Sequence, residues 1–141
     1  MENSEINFFA EDITLPAELN DDFKLWIQRV IAAETHELSA LNYIFCSDEY
    51  LLNINNEYLD HDYYTDIITF DNSEEELMIE GDIFISVDRV ADNATSLNIP
   101  FSEELKRVMA HGVLHLCGFG DKSEEEAKLM RQKEEQAINL F

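Results

Sequence analysis

The sequence predicts an α+β domain, a small sheet of about four strands with about five helices packed on it. Three observations predict this. Four short segments are rich in β-branched and aromatic residues, the composition of strands. Five longer segments repeat their apolar residues at helical spacing or open on a helix-capping pattern. No repeat or low-complexity linker divides the 141 residues, and 4 Gly and 2 Pro are the only breakers, so residues 1–141 are expected to form a single domain.

In chain order, Ile6–Phe9 reads as the first strand. Pro16-Ala17-Glu18 opens a helix to about Glu34, with Leu19, Phe23, Trp26, Ile27, Val30 and Ile31 on one face. His36 falls near the end of this helix, where it favours the C-terminal dipole. Leu41–Cys46 reads as a strand, and Ser47-Asp48-Glu49 as the cap and acidic first turn of a helix towards Tyr58. Asp66–Asp71 and Asp82–Val87 read as two strands of a hairpin around the loop SEEELMIEG. Ser86 caps a helix that ends near Leu97, before Pro100. Phe101–Leu116 is the next helix, ended by Gly118. Ser123-Glu124-Glu125-Glu126 is a capping box for a last helix to about Asn139.

Composition narrows the function classes. Hydrophobic residues make up 45% of the chain, the proportion of a globular protein. No apolar run is long enough to span a bilayer, and the acidic start MENSEINFFAED does not resemble a signal peptide. The expectation is a soluble cytoplasmic protein without a membrane partner. Cys46 and Cys117 are far apart and lie among apolar residues, which predicts two buried reduced thiols rather than a disulfide. The net charge of −22 argues against a nucleic-acid binder, because phosphate binding normally needs a cationic surface; no DNA partner is expected. Lys106, Arg107, Lys122, Lys128, Arg131 and Lys133 cluster in sequence around the motif described next. They supply either a local positive field or ordinary helix-surface pairs such as Glu103–Arg107 and Glu124–Lys128.

The chemistry concentrates in His111-Gly112-Val113-Leu114-His115-Leu116-Cys117-Gly118-Phe119-Gly120-Asp121. Histidines four apart share one face of a helix, so their imidazoles can reach one ion. Gly118 and Gly120 let the backbone leave the helix and bring Asp121 back to the same point. Two imidazoles and a carboxylate suit one zinc ion, with a fourth position left for water. Cys117, two residues beyond His115, points away from that face. The spacing matches the H-E-x-x-H-x-x-G-x-x-H pattern of zinc peptidases with Asp in the last place. The peptidase's general-base glutamate is absent, because Gly112 stands there. A zinc peptidase or other metallohydrolase is therefore the second reading, and a module with structural zinc the third.

HGVLHLCGFGD resembles the signature of the YbeY family of metal-dependent endoribonucleases, H-G-x-L-H-L-x-G-[YF]-D-H. Residues 59–70, LDHDYYTDIITF, are similar to that family's Y-R-x-K-D-x-P-T-D-V-L-S-F block, and Gly81–Ser86 matches its G-D-I-x-I-S strand. The resemblance spans about residues 40–135. It implies a small α+β domain with a four-stranded sheet, and zinc held by His111, His115 and Asp121. It implies single-strand-specific endoribonuclease action in rRNA maturation, at the 16S 3′ end, and in ribosome quality control. The implied partners are ribosomal RNA or ribosome-associated proteins. Asp121 replaces the family's third histidine and Gly120 its preceding aspartate. Leu59 replaces an arginine and His61 a lysine, so a cation that would steady a phosphate is missing there. No general base is evident; Asp66, Asp62 and His61 are the candidates for proton transfer or positioning.

Overall fold

A computed structural model describes residues 5–61 and 63–141. The elements follow the order β1 (Glu5–Ala10), α1 (Asp21–Ala33), β2 (Glu37–Cys46), α2 (Asp48–Leu59), β3 (Ile67–Asp71), β4 (Met78–Ser86), α3 (Val87–Leu97), α4 (Phe101–Leu116) and α5 (Glu124–Ile138). The strands form one mixed sheet in the order β1-β2-β4-β3. β1 and β4 run parallel to β2, and β3 lies antiparallel to β4, with Ile68 opposite Phe84. The α+β class and the hairpin hold.

Strand alternation divides the sheet into two faces. Leu41, Tyr43 and Phe45 of β2 and Ile79, Ile83 and Ile85 of β4 point to the main core, where Phe23, Trp26, Ile27 and Val30 of α1 and Leu105, Val108, Met109 and Val113 of α4 cover them. Cys46, Ile68, Phe70 and Phe84 point to the other face, where Leu51 and Ile54 of α2 pack on them. Trp26 Nε1 donates to Ala137 O at 2.7 Å and ties α1 to α5 across the core.

Several boundaries differ from the sequence expectation. α1 begins at Asp21, not near Pro16, because Asn20 caps it: its side-chain oxygen accepts from Asp22 N at 3.0 Å and Phe23 N at 3.4 Å. Residues 17–18 form only a turn, closed by Leu19 N donating to Pro16 O. α1 ends at Ala33, so His36 lies beyond it; its Nδ1 is 2.7 Å from the carbonyl of the C-cap Glu34. β4 starts four residues before Asp82, which shortens the hairpin loop to residues 72–77. The expected caps Ser47, Ser86 and Ser123 are all present, the last with its complete capping box.

Candidate metal centre

α4 supplies two of the three converging side chains. His111 and His115 lie one turn apart on its partly exposed edge, with their Nε2 atoms 2.9 Å apart. Asp121 comes from the loop after α4. Its Oδ2 lies 3.3 Å from His111 Nε2 and 3.4 Å from His115 Nε2. Among the described residues these three form the group whose ligand atoms converge closely enough to hold an ion.

The turn that returns Asp121 is a Schellman motif. Phe119 N donates to Leu114 O at 3.1 Å and Gly118 N to His115 O at 2.9 Å. Gly118 has φ +104°, which an L side chain rarely adopts. The same turn aims the Phe119 carbonyl at His115 Nδ1, 2.8 Å away. Gly120 leaves room for Glu126, whose carboxylate would be 2.9 Å from any Cβ there and instead accepts from Lys122 N and Ser123 N.

The outer contacts fix the tautomers. His115 Nδ1 faces a carbonyl, and His111 Nδ1 faces Glu134 Oε2 at 2.6 Å. Both partners only accept, so Nδ1 carries the proton and Nε2 the lone pair in each neutral ring. Two imidazole lone pairs and a carboxylate oxygen then meet at one point with no proton between them. That arrangement repels itself unless a cation is shared. Ligands about 2.0–2.1 Å from a tetrahedral ion stand about 3.3–3.4 Å apart; the two Asp121 edges match that spacing, and the His111–His115 edge is shorter at 2.9 Å. The donor set therefore fits a divalent ion of the zinc class. Asp121 is 43% exposed at its side chain, so the third side of the site opens to solvent.

Glu134 escaped the sequence reading, although a signal was present. It occupies the buried face of α5 with Met130 and Ala137, a carboxylate in an apolar register. Glu104 is the same case on α4, fully buried among Leu105 and Val108. Arg107 joins the two. It pairs with Glu104 through Nε and Nη2, approaches Glu134 Oε1 at 3.5 Å and lies 3.9 Å from Asp66 Oδ2. The Glu104 carboxylate beside it raises the guanidinium pKa further, so Arg107 stays charged. The expected Glu103–Arg107 and Glu124–Lys128 pairs do not form among the described residues. Arg107 prefers Glu104 because that side chain is on its own buried edge of the helix. Lys133 is bound to Glu34 at 3.1 Å, and Lys106 sits 3.8 Å over the Phe141 ring. Of the six cations around the motif, Arg107 and Lys133 are thus engaged in ion pairs.

Gly112 has a packing role. A Cβ there would stand 2.8 Å from Ile67 Cδ1 and 3.0 Å from Ile83 Cγ2. The position occupied by glutamate in zinc peptidases here points into the sheet, not into the cleft. Cys117 is half-buried, and burial pushes its thiol up to about 12, so it stays protonated at neutral pH. Cys46 is buried and its thiol is pushed up to about 12 by the same cause. Both cysteines are free, as expected, though Cys117 is less enclosed than the sequence implied.

Asp66 lies outside the converging triad. Its Oδ2 accepts from Asn93 Nδ2 at 3.3 Å. His61 is exposed beyond the end of α2 and also outside the triad, with Nδ1 2.9 Å from Tyr63 Oη. Asp62 lies outside the described residues.

The family model described as Endoribonuclease YbeY matches residues 5–141. The chain belongs to the YbeY endoribonuclease family. Curated members resemble it along the whole length. The Endoribonuclease YbeY of Christiangramia forsetii is 54% identical and covers 100% of this chain and 97% of its own, and that of Cytophaga hutchinsonii is 50% identical over 99% and 98%. The solution structure of TM1509 from Thermotoga maritima matches with TM-score 0.70 at 25% identity, covering 96% of this chain and 88% of that one. The YbeY signature thus coincides with α4 and its Schellman turn, and its G-D-I-x-I-S segment with the end of β4. In that segment Gly81 is required by packing, since a Cβ would stand 2.4 Å from Phe70 O.

Proposed function

We propose that the chain is a zinc-dependent, single-strand-specific endoribonuclease that acts in the cytoplasm on ribosomal RNA, in 16S 3′-end maturation and ribosome quality control. The observation that carries the catalytic reading is the meeting of His111 Nε2, His115 Nε2 and Asp121 Oδ2 with both Nδ1 protons turned outwards. His111, His115 and Asp121 would hold the ion. When bound, zinc lowers the pKa of a coordinated water and stabilises charge on phosphoryl oxygens. Glu134 and the Phe119 carbonyl orient the two imidazoles. Arg107, 3.5 Å from Glu134 Oε1, helps to hold that side chain in place. We assign Asp66, held by Asn93 at the edge of this network, to substrate positioning or proton transfer.

Membership of the YbeY family supports RNA as the substrate class. Against the peptidase reading stands Gly112, whose missing side chain would enter the core. Against structural zinc stands a ligand set of three with an exposed third member, because structural sites are normally closed by four protein ligands. The acidic total is compatible with RNA presented on a ribosome or by a partner protein rather than captured from solution.

The test is incubation of zinc-loaded protein with ribosomal RNA and, in parallel, with casein. RNA cleavage that disappears in His111→Ala and Asp121→Ala is the expected result. Cleavage by His111→Ala at the wild-type rate, or proteolysis of casein, overturns it. Elemental analysis of the purified protein identifies the metal, with one zinc per chain expected.

A further inference from the structure

Between the end of α2 and β3 lies an open pocket of about 420 Å³ that the mechanism above does not use. Asn55, His61, Tyr63, Thr65, Ile67 and Lys122 contribute to its walls. It borders the metal centre twice. Lys122 follows Asp121 directly, and Ile67 is the side chain against which Gly112, next to His111, is packed. A strand whose phosphate sits at the triad therefore has this pocket as its neighbour.

The pocket's unusual feature is a pair of exposed rings. His61 and Tyr63 stack with centroids 5.1 Å apart and planes 21° apart, and the Tyr63 hydroxyl meets His61 Nδ1 at 2.9 Å. Each ring thus braces the other, while Tyr63 is 56% exposed. The backbone beneath is also braced: Asn55, buried in α2, donates from Nδ2 to Tyr63 O at 2.9 Å. By contrast, Tyr64 next to it is engaged with Glu49 and lies against Arg89. Lys122 is the one lysine or arginine among the described residues of the lining. A rigid, exposed π-surface beside a single cation is poorly suited to a polyphosphate and well suited to a base attached to one phosphate.

We infer that His61 and Tyr63 form a stacking platform for one unpaired nucleobase of the RNA strand held at the metal centre, with Lys122 pairing the adjoining phosphate. The inference rests on the endoribonuclease reading and deepens it. Only an unstacked base can lie on the platform, so the platform favours single strands over duplexes. It acts by stacking at a place where a cation would otherwise recruit backbone, and it is therefore sensitive to base identity.

The experiment compares 2′-O-methyl hexamers of oligoadenylate and oligouridylate, equal in charge but unequal in stacking strength, binding to the zinc-loaded full chain, with the oligomers recovered afterwards to verify that they are intact. Wild type is expected to bind oligoadenylate more tightly. Tyr63→Leu should lose that preference and weaken oligoadenylate binding about 5-fold or more, the size of one lost base stack. Tyr63→Trp should retain the preference, with its added emission quenched by the oligomer. Lys122→Gln should weaken both oligomers alike and lower the salt slope by about 1. Tyr63 is exposed, so unchanged Trp26 emission confirms that Tyr63→Leu is folded. If wild type shows no preference, or Tyr63→Leu keeps it, the platform is wrong while RNA cleavage stands. If wild type binds neither oligomer and cleaves no RNA, the underlying reading fails as well.

Discussion

Glu134 shows how one buried side chain braces the candidate metal centre. It is nearly inaccessible, it accepts the His111 Nδ1 proton, and it faces Arg107 on its other oxygen. Glu134→Gln preserves the shape but turns a charged acceptor into a neutral one. Zinc affinity should fall about 10–100-fold, measured by competition with a chromophoric chelator, while the circular dichroism stays native. An unchanged affinity would show that His111 is oriented by packing alone. A second single-residue effect belongs to Asp12, which accepts from Ser47 N at 2.9 Å and from the Ser47 hydroxyl at the head of α2. The Ser47 hydroxyl beside it holds the Asp12 carboxyl below its usual value of 3.8. A carboxyl lowered by folding stabilises the protein above that usual value, and the stabilisation is lost as pH falls through the lowered one. Denaturant unfolding of wild type and Asp12→Asn should therefore differ at pH 6 and converge towards pH 2. A gap that stays constant with pH would assign the effect to hydrogen-bond geometry rather than charge.

Helix α4 carries the site because it lies close to the sheet. At Gly112 the Ile67 and Ile83 side chains fill the space of a Cβ. Gly112→Ala should destabilise the protein by about 1–3 kcal/mol, the usual cost of overpacking. Because His111 is the adjacent residue, zinc affinity should fall with stability. Thermal unfolding with and without zinc checks both. A fully stable variant would mean that α4 can lift from the sheet at little cost. The end of α4 matters in another way: one Schellman turn both reverses the chain to Asp121 and presents the Phe119 carbonyl to His115.

At the scale of the molecule, the core and the metal centre are separable. The main core joins the sheet to α1 and α4 through residues that are almost wholly buried, with Trp26 at its centre. The triad lies at the edge of that core and ends on an exposed aspartate. Removal of zinc by a chelator should therefore abolish cleavage while leaving Trp26 emission and helical content unchanged, with a modest fall in Tm set by the lost binding energy. Global unfolding on chelation would make the zinc structural and revive the third reading.

The residues that the sequence determined by itself are those whose meaning is local. Ser47, Ser86 and Ser123 cap the helices they were expected to cap, because a cap is a contact between residues three apart. The meeting of His111 and His115 on one helix face was readable for the same reason, and the return of Asp121 after Gly118 because the turn spans only a few residues. The start of α1 differs because proline at a first helical turn and asparagine at a cap are both valid local signals, and it is the Asn20 side chain that accepts from Asp22 N and Phe23 N. Glu134 carried a carboxylate in an apolar register but no partner at short spacing. Its partners are distant in sequence, 23 residues away for His111 and 27 for Arg107. Buried Glu134 is tolerated because α4 delivers its partners, so its role came into being when α5 docked on α4.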